Sequence, residues 1–260
     1  GVADDLLNRV AGLERTTYDA AVRTAVERNV IVPRRDGYVF RHALLAEAVY
    51  DDLLPGERVR LHAAYADALA TGAVQGTAAE LARHARAAHQ RGRALRASVR
   101  AGDEAMAVGG PDEAARHYET ALELLGAGLP EDDASDDTDV CTERVTLTLR
   151  VAEAMTAAGR PHRAVDLVRQ QLGQLAPDVQ PEKRARLLLA EAYAALVAET
   201  GVDPLALTTE ALELVPPEPS ALRARLLAAH ALAHVDRGRW EHASRWALEA
   251  VQLGEQLHLT

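Results

Sequence analysis

The sequence predicts a mainly α fold in which antiparallel helix pairs follow one another behind a small unit of two helices and one β-hairpin. Three observations carry this expectation. The chain of 260 residues is 48% hydrophobic but only 3% aromatic. It holds 53 alanines, so its core is built from Ala, Leu and Val, which favours helices crossing closely over small side chains. Gly and Pro punctuate a long run of helical periodicity with no strand pattern after residue 42. Finally, small residues recur at fixed distances from a repeated turn glycine.

Taken in order, "ADDLLNRVAGL" sets Leu6, Leu7, Val10 and Leu13 at helical spacing, and "TTYDAAVRTAVERNV" repeats this with Tyr18, Val22 and Val26. Thr16 or Thr17 is the expected N-cap of the second helix. "VIVPRRDGYVFR" then reads as strand, turn around Asp36-Gly37, strand. Helix, helix and β-wing is the plan of a winged helix, here partial because such a unit ordinarily has another helix in front of Ala3. Helices are expected near 42–53, 57–71, 77–90, 92–108, 111–125, 140–158, 161–173, 181–199, 203–214, 219–237 and 240–257. The domain reading is a partial winged helix at 1–56, connecting helices at 57–92 and helical repeats at 93–260, with an acidic loop at 128–139. Six of the nine residues Glu131 to Asp139 are acidic, which favours solvation over packing. The loop lacks the spaced ligands, central glycine and closing glutamate of a calcium loop.

The repeat signal is specific in three columns. The turn glycines are Gly109, Gly159, Gly201 and Gly238; five residues on stand Ala114, Ala164, Ala206 and Ala243. Eight residues beyond those alanines come Leu122, Leu172, Leu214 and Val251, and twelve before them Gly102, Ala152, Ala194 and Ala231. One small residue on each helix of a pair is what close antiparallel crossing needs. These columns resemble the tetratricopeptide pattern, best in "PDEAARHYETALELL" with Ala114, Tyr118, Ala121 and Leu122. Glycine spacings of 50, 42 and 37 exceed the usual repeat of about 34, so an irregular α-solenoid of longer helices is expected rather than a regular array.

Charge and chemistry narrow the function. A net charge of -10, with no basic stripe, argues against nucleic acid as this chain's partner, because Lys and Arg contacts to phosphate supply most of that affinity. Lys183 is the only lysine, and it lies in "PEKRARLL", not in a phosphate-binding loop. No nucleophile elbow and no paired-carboxylate motif occurs outside the acidic loop, so catalysis is not expected. The single cysteine, Cys141, rules out an internal disulfide and fits a reducing compartment. With no membrane-length apolar run and no signal-peptide pattern, the cytoplasm is the expected location. His230 and His234 share a helical face and His242 follows, a weak pattern for a metal because no Glu follows His230 as in a zinc-protease helix: the string is "HALAH". Glu57, Arg58 and His62 are expected to fix helix packing. Of Trp240 and Trp246, six apart, one is expected in the core and the other on an open face.

The string "FRHALLAEAVYDDLLPGERVRLHAAYADAL", followed by "AAELARHARAA", "RALRASVRAGDEA" and "EAARHYETALELL", resembles the region behind the ATPase module in large ATP-binding regulators of the LuxR type. These belong to the STAND class of signalling ATPases, with MalT-like activators as more distant relatives. The resemblance spans about Ala3 to Leu125. It implies an order of P-loop ATPase, winged helix, helical-repeat sensor and DNA-binding helix-turn-helix, of which this chain holds the middle two. It further implies that His42, assisted by Arg41, reaches the β-phosphate of ADP held by the ATPase module, with no cofactor held by this fragment alone. A helix N-terminus and an imidazole donor suit that contact, although Ala43 stands where relatives often carry Asp. The alternative role for His42 is to cap its helix and pack on the wing. The implied partners are the chain's own ATPase module and a signal ligand or protein, with no membrane and with oligomerisation possible. The alternative to a sensor is a tetratricopeptide-like interaction scaffold without a nucleotide switch.

Overall fold

In a computed structural model the chain is described over residues 1–35, 37–72, 75–126, 144–175 and 181–259. Among these it forms thirteen helices and one three-stranded antiparallel sheet. The acidic loop, Cys141 and the wing-turn residue Asp36 lie outside the described residues.

The first elements are β1 (Val2–Ala3), α1 (Asp4–Ala11), α2 (Arg15–Glu27), β2 (Ile31–Arg34) and β3 (Gly37–Phe40). The hairpin pairs Ile31 with Phe40 and Val32 with Val39. A strand that the sequence pattern does not predict, β1, adds to its other edge, pairing Val2 with Tyr38 and Ala3 with Gly37. Glycine is required there: a Cβ on Gly37 would run into the Val2 carbonyl oxygen. Two residues carry no periodicity, which is why β1 leaves no mark in the sequence. Glu14, rather than Thr16 or Thr17, caps α2 by accepting from the Thr16 N–H at 3.1 Å. Tyr18 is 2% exposed and donates its hydroxyl to Asp4 at 2.7 Å, joining α2 to the start of α1.

Next come α3 (Ala43–Asp52), α4 (Pro55–Ala70), α5 (Ala78–Ala87), α6 (Arg91–Ala107) and α7 (Pro111–Gly126). The α5 start is a reciprocal cap: Thr77 accepts from the Glu80 N–H at 3.1 Å and Glu80 from the Thr77 N–H at 3.0 Å. Ala66, Leu81, Ala82, Ala85, Ala94 and Ala97 form one core across α4, α5 and the start of α6. By contrast α3 buries no residue, and Leu44 on it is 76% exposed.

The remaining helices are α8 (Arg144–Ala157), α9 (Pro161–Gln174), α10 (Pro181–Val197), α11 (Pro204–Leu214), α12 (Ala221–Asp236) and α13 (Trp240–Gln256). Contacts divide the chain into two units, one gathering Gly1–Ala101 with the end of α7, the other Gly102–Leu122 with the described residues from Arg144 onward. Within the second unit each helix from α8 to α13 packs on its chain neighbour, and α8 with α10 and α10 with α12 also touch. The turn glycines Gly109, Gly159, Gly201 and Gly238 all take positive φ, between 68° and 76°. That left-handed turn is where a Cβ is costly, which explains their recurrence.

Candidate functional site

Two stripes run along α8, α10 and α12 of the second unit. On α8 one stripe, Leu147, Thr148, Val151, Ala154 and Met155, is buried throughout. The other, Leu149, Ala152, Glu153, Thr156 and Ala157, follows the i, i+3, i+4, i+7, i+8 pattern of one helical face and opens onto a groove. Arg186, Leu189, Ala190, Tyr193 and Val197 of α10, with Ala221, Leu222 and Arg225 of α12, complete its wall. The volume is about 760 Å³, within the range of small-molecule sites. Sequence periodicity does not reveal the groove, because alanine fills both stripes and blurs the contrast that marks a face.

The groove has few polar groups. Arg186 and Arg225 are exposed on its wall, and among the described residues neither side chain makes a hydrogen bond or ion pair. Several other arginines of the unit are paired. Arg184 pairs with Glu210 at 2.8 Å, Arg169 with Glu191 at 2.7 Å and Arg237 with Asp203 at 2.7 Å. Arg150 reaches Asp103 at 2.7 Å, and the same Asp103 oxygen accepts from the Tyr118 hydroxyl at 2.6 Å.

Two histidine clusters lie elsewhere. His230 and His234 meet edge-on at 4.8 Å between ring centres, His234 stacks on His242 at 5.4 Å, and Trp246 meets His230 edge-on at 5.1 Å. Burial, then the neighbouring His234, pushes the pKa of His230 down to about 4. The Thr208 hydroxyl donates to the Pro204 carbonyl at 2.9 Å, so its oxygen is free to accept from His230 Nδ1 at 2.8 Å. The rings contact one another without converging on a point, and no group of three His, Cys, Asp or Glu side chains among the described residues is placed to hold a metal. In the first unit, His62 Nδ1 faces His84 Nδ1 at 2.9 Å. Arg83 can only donate to His84 Nε2, at 3.1 Å. The His84 proton therefore sits on Nδ1 and is donated to His62, whose own Nε2–H points to the Tyr50 oxygen at 3.1 Å. Burial first, then the Arg83 charge, holds the pKa of His84 down to about 4. With Arg58 donating to the Leu53 and Asp51 carbonyls and Glu57 accepting from the Leu54 N–H, these residues join α3, α4 and α5.

His42 is the N-cap residue of α3, in extended conformation and exposed, and its side chain makes no capping bond. Capping is therefore not what its ring does. Arg41 donates to the Asn29 side chain at 2.9 Å. Of the small residues expected to pack helices, Ala114, Ala121, Ala164 and Ala194 are fully buried, Ala152 is 1% exposed, and Ala231 and Ala243 are 5% exposed. Gly102 lies directly against the Tyr118 ring, which a Cβ there would overlap. Ala206 is exposed, a correction to its packing role. Helices α7, α9 and α13 begin two residues after their glycine, whereas α11 begins three after Gly201. The extra residue rotates the column out of the interface, and Pro204, Thr208 and Ala211 are buried instead. Trp246 is half-buried and Trp240 is 65% exposed, so neither occupies a core.

No helix among the described residues is long and apolar enough to cross a membrane. The chain matches no family model, and neither a curated protein nor a solved structure matches it.

Proposed function

We propose that this chain is the non-catalytic sensor portion of a LuxR-type STAND transcriptional regulator. In this reading its helical pairs form a tetratricopeptide-like α-solenoid whose inner face receives a signal and relays it to an ATPase module elsewhere in the full-length protein. The observation that carries the reading is the groove walled by the first helices of three successive pairs, with an apolar floor and two rim arginines that have no carboxylate partner among the described residues. Signal binding acts as a population shift, which requires tighter binding to the active arrangement than to the resting one. His42 and Arg41, at the exposed start of α3, supply the phosphate contact that retains ADP in the resting form, so ATP and ADP belong to the full-length protein.

The test uses that full-length protein. Its coding sequence is expected to include a Walker motif before this region and a helix-turn-helix after it. His42→Ala is expected to raise basal transcription and speed ADP loss; unchanged basal transcription with unchanged ADP retention contradicts the nucleotide role. One observation favours the scaffold reading instead: an apolar groove of about 420 Å³ between α12 and α13, beside which Trp240 and Leu232 are exposed. Flanking sequence without an ATPase would favour that reading.

A further inference from the structure

We infer that the groove of α8, α10 and α12 takes an amphiphilic organic anion, a small molecule with an apolar body and one anionic group that meets Arg186 and Arg225. The biological use of such a ligand rests on the sensor reading, but its chemistry is argued from the groove. Leu149, Leu189 and Leu222 with several alanines make the wall apolar, which favours a hydrophobic body of drug-like size. The charge is asymmetric. Two guanidinium groups project from α10 and α12, against the single carboxylate of Glu153 on α8.

In a chain of net charge -10, Arg150, Arg169, Arg184 and Arg237 of the same unit are all engaged by carboxylates. Arg186 and Arg225 have no such partner among the described residues, and a guanidinium fork binds carboxylate or a similar oxyanion in two-pronged fashion. Glu153 repels an anion from the α8 side, which directs the charged end toward α10 and α12. A hydroxyl or amine on the far end of the ligand would meet Glu153.

The test is a fluorescence titration of the 260-residue chain with 8-anilinonaphthalene-1-sulfonate and with the uncharged N-phenyl-1-naphthylamine, which shares its aromatic body. Arg186→Ala with Arg225→Ala is expected to weaken the anionic probe by about tenfold or more, as loss of charge-assisted hydrogen bonds requires. The same change should leave the neutral probe within about twofold, since the apolar contacts are untouched. Added salt should weaken only the anion. Both arginines are exposed, so the variant should keep the wild-type circular dichroism; Ala157→Trp, which sets an indole on the groove wall, is expected to obstruct it and weaken both probes. Unchanged affinity for the anion in the double variant overturns the inference, as does an equal loss of the neutral probe or a failure of Ala157→Trp to affect either. These outcomes are separate from the sensor reading, which stands or falls on the response of the full-length regulator when the groove is filled.

Discussion

A methyl group at Gly102 would overlap the Tyr118 ring, and that ring is held by its bond to Asp103 and by the Arg150 guanidinium 5.9 Å from its centre. Gly102→Ala is therefore expected to destabilise the chain by about 1–3 kcal/mol through overpacking, despite the gain in helix propensity of roughly 0.5–1 kcal/mol. Urea unfolding measures it, and an unchanged or higher midpoint would contradict the close approach. Ala164 and Ala206 occupy the same sequence column yet differ in burial. Ala164→Leu is expected to cost about 1–3 kcal/mol, whereas Ala206→Leu should stay within about 0.5 kcal/mol. Equal effects would place both in the same environment. The contrast shows what is legible in a sequence at this scale: small residues at fixed intervals stand out, but the phase of one column depends on whether a turn holds one more residue.

At the scale of elements, the long helices are legible because Gly and Pro mark their ends and apolar residues their faces, and boundaries such as 161–173 against Pro161–Gln174 differ by one residue. The strand β1 is not, since pairing of two residues depends on Gly37 admitting a neighbouring backbone. The contact of His84 with His62, and those of His230 with Thr208 and Trp246, are also hidden, because residues from different helices make them. They give a signed pH dependence. His84 and His230, held down to about 4 against an ordinary 6.5, bind protons less readily folded than unfolded. Their contribution to stability is complete above the ordinary value and is lost as pH falls from there toward about 4. Because the His84 ring keeps contact with solvent, its contribution is on the order of 1 kcal/mol, and the buried His230 acts in the same direction. Arg83, Glu80 and His62 surround the first; Thr208, His234 and Trp246 meet the second, with His242, Arg239 and Arg245 acting on His234. Urea midpoints are expected to fall between neutral pH and pH of about 5, and less so in a variant carrying His84→Gln and His230→Gln. Midpoints independent of pH, or an undiminished fall in that variant, would contradict the assignment.

For the molecule as a whole, the absence of strands beyond the N-terminal sheet among the described residues agrees with the composition, but the groove has no signature in the sequence. It arises where the second stripes of α8, α10 and α12 face a common space, and alanine-rich helices look apolar on both stripes in one dimension. The functional account depends on that space being the place where a signal acts. On the proposal that this chain belongs to a larger transcriptional regulator, the most direct measurement is reporter transcription by that proposed full-length protein carrying Ala157→Trp, followed across growth conditions under which the wild-type output changes. The expected result is an output fixed at one level, because an indole obstructs the groove and the signal no longer shifts the equilibrium. An output that follows the wild type through every condition would contradict it.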